Sequence, residues 1–182
     1  MQRGVIAAVA VLAVAARPAS AQPIEIIDTF GLNNAVSTNG FGISGTTARV
    51  AFSFLAPRSP DVAITQIQIQ CGFGNYPQTV MELVPDFGGV PAPGPVLTTI
   101  TLPARTFQDS AFVIASPAAA VSLNAGARYW LVWGGGDLLF SESPRPGLDM
   151  RISTDRIVWT PVSRYPAVRI LGDSHGACCN TL

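Results

Sequence analysis

Short stretches in which apolar and polar residues alternate run through most of the chain. The clearest is residues 47–55, where Val50, Phe52 and Phe54 occupy alternate positions and so share one parity in the numbering. Successive side chains of a strand point to opposite faces of its sheet. The alternation therefore predicts a half-buried β-strand at this position.

A second strand is predicted at residues 62–71, and its pattern changes partway along. The apolar residues up to Ile64 share one parity, whereas those from Ile67 onward share the other. One extra residue in a strand shifts the faces of all residues after it. The change of parity therefore predicts a β-bulge at residues 65–66.

The most apolar short stretch is residues 129–133, five large residues in a row. A tight turn at Asn124 and Gly126 precedes it, and three glycines at 134–136 follow it. A run of this kind between turn residues is typical of a central strand on which the other strands pair and pack.

The remaining pattern predicts only short strands. They fall at residues 22–28, 79–84, 96–102, 107–114, 119–123, 138–141, 150–153, 156–160 and 168–171. Residues 31–45 are predicted to be irregular, and 86–95 to form a long turn whose prolines prevent strand pairing. No stretch of helical periodicity competes with these strands. We therefore expect an all-β fold, an antiparallel β-sandwich of the jelly-roll kind.

The first 21 residues have the pattern of a secretory signal peptide. A short cationic start is followed by an apolar run over residues 4–16 and by Ala19-Ser20-Ala21. Cleavage is expected before Gln22. Removing 21 residues from 182 leaves 161, the length of one domain. We expect a β-sandwich domain at 22–172, a flexible tail at 173–182, and no membrane insertion after cleavage.

The charge of the mature chain argues against two classes of partner. It contains no lysine, and without Arg3 and Arg17 it carries 9 arginines against 11 acidic residues, a net charge of −2. Nucleic acids and anionic membrane surfaces select clustered positive charge. We therefore expect neither as a partner.

Cys71, Cys178 and Cys179 are an odd number of cysteines for an exported protein. A disulfide from Cys71 to either cysteine of the tail would tie the C-terminus to the sheet. A bridge between the two adjacent cysteines would be strained. In the remaining alternative, Cys71 is a small buried apolar residue.

Several of these motifs together resemble a known family. They are the strands at 62–69 and 79–84, the turn Asp-Phe-Gly-Gly-Val-Pro at 86–91, Leu-Asn-Ala-Gly-Ala-Arg-Tyr-Trp-Leu-Val at 123–132, and Ala-Val-Arg-Ile-Leu-Gly at 167–172. The chain resembles the choice-of-anchor R type of bacterial exported domain. The resemblance implies a β-sandwich without an assigned activity. Members carry C-terminal anchors such as the Pro-Glu-Pro signal, whereas residues 174–180 here are Ser-His-Gly-Ala-Cys-Cys-Asn, so release into the medium or periplasm is expected.

Aromatic residues are the first candidate ligand site. Tyr129 and Trp133 share one face of their predicted strand, and Trp130 lies on the other. If one of these faces is open, its rings and Trp159 would form a surface on which sugars stack. The alternative is that both faces of the central strand are covered.

Metal sites are the second candidate. Asp86 and Asp137 lie in turns where a structural calcium ion would be held by oxygen ligands, or where each aspartate accepts backbone hydrogen bonds. His175 with Cys178 and Cys179 would offer a soft metal three ligands, whereas structural zinc takes four. We therefore expect no cofactor, with calcium as the alternative.

Catalysis is not predicted. His175 is the only histidine, and no Gly-x-Ser-x-Gly motif is present. We expect a secreted, non-catalytic β-sandwich with a binding or structural role outside the cell or at its surface. The sequence does not identify the ligand, and an extracellular polysaccharide and a surface protein are the candidates. A carbohydrate-binding module using exposed aromatic residues is the first alternative. A glycoside hydrolase with paired carboxylates is the second, because its two carboxylates can be distant in sequence.

Overall fold

The computed structural model describes residues 23–30, 40–43, 48–58, 62–71, 74–76, 78–107, 111–134, 136–141 and 148–174. The predicted signal peptide and residues 175–182, with His175, Cys178 and Cys179, lie outside these ranges. No helix in the described part of the chain is long and apolar enough to cross a membrane.

Seventeen strands form the described part of the chain. They are β1 Ile24–Asp28, β2 Gly40–Ile43, β3 Arg49–Leu55, β4 Val62–Cys71, β5 Gly74–Tyr76, β6 Thr79–Phe87, β7 Val90–Pro91, β8 Thr98–Leu102, β9 Arg105–Phe107, β10 Ala111–Ala115, β11 Ser122–Leu123, β12 Arg128–Trp133, β13 Gly136–Ser141, β14 Met150–Ser153, β15 Thr160–Val162, β16 Tyr165–Pro166 and β17 Val168–Ser174.

Two main sheets contain most of these strands, and all their pairings are antiparallel. The first sheet has the order β1-β17-β4-β13-β16, with β10 and β11 also on β4 and β2 on β13. The second has the order β15-β14-β3-β12-β6-β7, with β8 also on β6. Strands β5 and β9 form a separate pair. The predicted all-β, antiparallel sandwich class is confirmed.

The main core lies between these two sheets. Its inward residues come from alternate positions of β3, β4, β6, β8, β10, β12 and β17, as the parity of the sequence predicts. The largest fully buried members include Phe52, Phe54, Ile67, Leu83 and Trp133. Large aliphatic and aromatic side chains on facing sheets give the domain most of its apolar burial.

A second, smaller cluster lies on the opposite face of the second sheet. Ala51, Val84, Trp130, Val132 and Trp159 pack together there, all of them buried. Strands β3 and β12 are therefore covered on both faces. The prediction of a half-buried strand at 47–55 is wrong in this respect, because Trp159, in the loop after β14, packs on the outer face.

The predicted bulge in β4 is present. Gln66 pairs with Leu171 and Ile64 with Gly172, so that Thr65 has no opposite residue in β17. The hydroxyl of Thr65 donates to the carbonyl of Leu171 over 3.4 Å. The extra residue turns the apolar positions on both sides of it toward the same core.

Some element boundaries differ from the prediction. The stretch 107–114 is divided between β9 and β10, and β2 lies inside the region predicted to be irregular. Strand β17 continues to Ser174, two residues past the predicted end of the domain.

The prediction of a long, unpaired turn at 86–95 is wrong in part, because β7 pairs with β6 within this segment. Gly88 and Gly89 have φ of 62° and 85°, the conformation that a tight hairpin turn requires. Pro91 is tolerated in β7 because a strand at the edge of a sheet does not need every N–H group for pairing.

Gly172 lies opposite the bulge with no space for a side chain. A Cβ atom there would lie 2.5 Å from the carbonyl oxygen of Ala63 and 2.4 Å from Val62. We expect Gly172→Ala to reduce the free energy of unfolding by about 1–3 kcal/mol through overpacking against the backbone. Urea unfolding of the mature chain measures the change.

Gly94→Ala is the matched control, since an added Cβ at Gly94 meets nothing within 4 Å. It should change the free energy of unfolding by no more than about 0.5 kcal/mol. Equal effects of the two substitutions would contradict the tight packing at the bulge.

Candidate functional site

The structure buries all four aromatic residues of the predicted ligand site. Trp130 and Trp133 are 0% exposed, Tyr129 is 5% exposed and Trp159 is 9% exposed. The hydroxyl of Tyr129 accepts a hydrogen bond from N–H of Asn124 at 2.9 Å. The candidate site on an exposed aromatic face of β12 is therefore wrong, and the alternative of a central strand covered on both faces is correct.

Trp159 packs on the outer face of the second sheet, with Val90 of β7 beside the same cluster. Trp159 is the last residue of the segment 154–159, here called the covering loop. This segment was predicted to begin a strand at 156, and that prediction is wrong. The hydroxyl oxygen of Ser153 accepts hydrogen bonds from N–H of Asp155 and N–H of Arg156, at 3.3 and 2.8 Å. Asp155 Oδ1 accepts from N–H of Ile157 and N–H of Val158, at 2.8 and 2.9 Å. Side chains thus bond the backbone N–H groups that a strand would need for pairing.

Arg156 has an unusual backbone conformation within this loop. Its φ of 64° lies in the left-handed region, which non-glycine residues rarely adopt. Its guanidinium group forms an ion pair with Glu82 of β6, and both side chains are partly exposed. The hydrogen bond to Ser153 and the ion pair to the sheet together hold Arg156 in this conformation.

A cleft opens beside the covering loop. Its other wall is residues 91–96, here called the proline segment, which follows the β6–β7 hairpin. The cleft has a volume of about 290 Å³. Its lining residues are Glu82, Val84, Pro91, Ala92, Pro93, Gly94, Val96, Val132, Arg156 and Trp159. Valines and prolines supply the apolar surface, and the ion pair supplies the charge.

The cleft contains one of the predicted aromatic residues in a different role. Trp159 packs on the sheet with most of its surface and lines the cleft with the rest. Trp130 and Val132 are neighbours in this outer cluster, but of these two only Val132 reaches the cleft. Trp133 and Tyr129 belong to the main core between the sheets.

Asp86 has the structural role that the sequence left as an alternative to metal binding. Its Oδ1 accepts a 2.6 Å hydrogen bond from the indole N–H of Trp130. Its Oδ2 accepts from N–H of Gly89 at 3.1 Å, which stabilises the hairpin turn. Among the residues that the structure describes, no three metal-ligating side chains lie together.

Other predicted positions are only partly described. The backbone of Asp137 lies in β13 opposite Gly42. Cys71 is buried at the end of β4. Because Cys178 and Cys179 lie outside the described residues, the disulfide alternatives stay predictions.

A second polar surface lies on the outer face of the first sheet. Arg169 donates from Nε and Nη2 to Asp28 Oδ2, at 2.9 and 2.6 Å. Gln68 accepts from Arg169 at 3.4 Å and donates to Gln66 at 3.1 Å. These side chains form a continuous hydrogen-bond network with one another across the strands. We place the candidate site in the cleft rather than on this surface, because polar and apolar groups converge there on a concave surface.

Sequence reasoning missed Glu82 and Arg156, which are 74 residues apart. The sequence carries only a weak signal for either residue. Glu82 is the charged residue of the predicted strand 79–84, and Arg156 follows an aspartate next to two branched apolar residues. Neither pattern indicates that the two side chains meet.

Sequence comparisons with protein families and with curated proteins found no relative of this chain: no protein-family model matches it, and no curated protein matches its sequence.

Asp155 should make the covering loop sensitive to acid. Hydrogen bonds from N–H of Val158 and of Ile157, with a smaller one from Ser153, hold the pKa of Asp155 below its ordinary value of 3.8. A lowered pKa contributes stability above pH 3.8 that is lost as the pH falls through the folded-state pKa. We expect wild type to be more stable than Asp155→Asn at neutral pH, with the difference shrinking in acid.

Urea unfolding of both proteins at a series of pH values measures this difference. Thr154→Ala, an exposed change in the same loop, should keep the pH dependence of wild type. A difference between wild type and Asp155→Asn that stays constant from neutral pH into acid would show that the Asp155 carboxylate does not stabilise the loop.

Proposed function

We propose that this protein is an exported, non-catalytic β-sandwich that binds a ligand in the cleft between the covering loop and the proline segment. The observation that carries the proposal is the cleft itself, a concave site lined by apolar side chains and one ion pair. Ligand sites are commonly clefts of this kind, with apolar walls and a few placed polar groups. The site of action would be the cell surface or the extracellular matrix.

The chemistry of the lining favours binding over catalysis. Glycoside hydrolysis needs two carboxyl groups about 5–10 Å apart, on either side of the scissile bond. Among the described residues that line the cleft, one carries a carboxylate, Glu82, and that carboxylate is paired with Arg156. An ion pair places hydrogen-bond donors and acceptors side by side, which is suited to holding a polar ligand in one orientation.

Export is proposed from the signal-peptide pattern of residues 1–21. The resemblance to choice-of-anchor R domains supports the same location. Its most distinctive motifs fall on β12 and β17, two strands that contribute to the main core. Expression of the full chain in a bacterial host should yield an exported form that begins at Gln22. Retention of an uncleaved chain in the cytoplasm would contradict this part of the proposal.

The binding proposal is tested by blocking the cleft without disturbing the sheet. A ligand that binds only the folded state raises the midpoint of thermal unfolding. The mature chain, residues 22–182, is heated with a panel of neutral polysaccharides, acidic polysaccharides and peptides. We expect at least one of them to raise the midpoint for wild type.

Gly94→Trp should remove that rise, because the indole enters open space in the cleft wall. Gly94→Ala is the matched control and should retain it. If no compound raises the midpoint, or if Gly94→Trp leaves the rise unchanged, the proposal is wrong.

A further inference from the structure

We propose that the cleft binds a neutral sugar ring, with the Glu82–Arg156 ion pair engaging two adjacent hydroxyl groups. The inference rests on the proposed function and specifies the class of ligand. It is carried by three features of the cleft: its paired charges, its apolar walls and its rigidity.

The ion pair offers a hydrogen-bond acceptor and a donor side by side. The Glu82 carboxylate accepts hydrogen bonds, and the Arg156 guanidinium donates several in a fixed fork. Of the guanidinium's nitrogens, Nη2 bonds Glu82. A sugar hydroxyl both donates and accepts. Two adjacent hydroxyls can therefore donate to the carboxylate and accept from the guanidinium, forming charge-assisted bonds with each.

The balance of charge selects a neutral ligand. Glu82 and Arg156 together contribute no net charge, and the other lining residues are uncharged. A carboxylate or phosphate on the ligand would be drawn to Arg156 but would lie beside the Glu82 carboxylate. A cationic group on the ligand would be drawn to the Glu82 carboxylate but would lie beside the Arg156 guanidinium. A fully apolar ligand would remove water from the pair without replacing its hydrogen bonds.

The walls of the cleft match the remaining surface of a sugar ring. Val84 and Val132 supply apolar surface from the sheet, and Pro91 and Pro93 supply it from the proline segment. Trp159 adds part of its indole. The C–H groups of a pyranose pack favourably on such surfaces. A volume of about 290 Å³ lies at the lower end of the range for small-molecule sites and suits a ring or two of a longer chain.

The two charged residues are held in place before any ligand arrives. Glu82 lies in the middle of β6, paired with Thr99 of β8 on one side and Val132 of β12 on the other. The hydrogen bond from its N–H to Ser153 fixes the backbone of Arg156, and the ion pair with Glu82 orients its side chain. Binding groups that are already ordered lose little conformational entropy when a ligand binds.

Isothermal titration calorimetry of the mature chain tests the inference with two sets of probes. One set is neutral oligosaccharides of glucose, xylose, mannose and galactose, and the other is oligogalacturonate. We expect wild type to bind at least one neutral probe in preference to the acidic one. Glu82→Gln and Arg156→Lys should each weaken that binding roughly tenfold to hundredfold, the loss of a charge-assisted hydrogen bond.

Glu82→Gln has a second expected effect that a merely structural residue would not produce. It leaves Arg156 without its carboxylate, so affinity for oligogalacturonate should rise while affinity for the neutral probe falls. Val80→Thr is the matched control, since Val80 is an exposed residue of β6 outside the cleft lining. It should leave both affinities unchanged.

A measurement on wild type avoids any fold defect in the variants. In a nitrogen–hydrogen correlation spectrum, the indole signal of Trp159 should shift on titration with the neutral sugar, while that of Trp133 should not. The inference is overturned if no neutral sugar binds, or if one binds without moving the Trp159 signal. If oligogalacturonate or a peptide binds instead and Gly94→Trp blocks it, the binding function stands and only the ligand class is wrong.

Discussion

Burial of strand β12 on both faces is the constraint on which the rest of the structure depends. Its inner face contributes Leu131 and Trp133 to the core between the sheets. Its outer face contributes Trp130 and Val132, which would be left in water if the second sheet had one covered face. A large apolar surface of this kind must be covered, and the sheet achieves this with a loop rather than with a third layer.

Covering the outer face creates polar requirements that shape the surrounding loops. The buried indole of Trp130 carries an N–H group, which would be costly without an acceptor. Asp86 supplies it and also bonds the turn of the β6–β7 hairpin. Across the sheet, Ser153 and Asp155 accept hydrogen bonds from backbone N–H groups of the covering loop. The ion pair between Arg156 and Glu82 connects that loop to β6. The cleft is the space left between the hairpin side and the loop side of this cover. Its preformed shape thus follows from how the sheet is covered.

The sequence predicts what depends on the period of a strand. Parity located the bulge at Thr65, because a single extra residue changes the side of every apolar residue after it. The run at 129–133 identified the central strand by its composition. Prediction failed where side chains bond the backbone. Ile157 and Val158 look like strand residues, yet they are 81% and 66% exposed because Asp155 bonds their N–H groups. In the candidate site, Trp159 was predicted from its residue type. The pairing of Glu82 with Arg156 depends instead on the fold of the chain between two residues that are 74 positions apart.

Native-state hydrogen exchange tests the central role of β12 most directly. If both faces are buried and both edges are paired, its backbone N–H groups can exchange only when the whole domain unfolds. The account predicts that the protected N–H groups of Arg128–Trp133 have exchange free energies equal to the global free energy of unfolding. It also predicts lower values for residues 154–159, whose cover can open locally. Exchange of the β12 groups through local opening, at free energies well below the global value, would contradict the account.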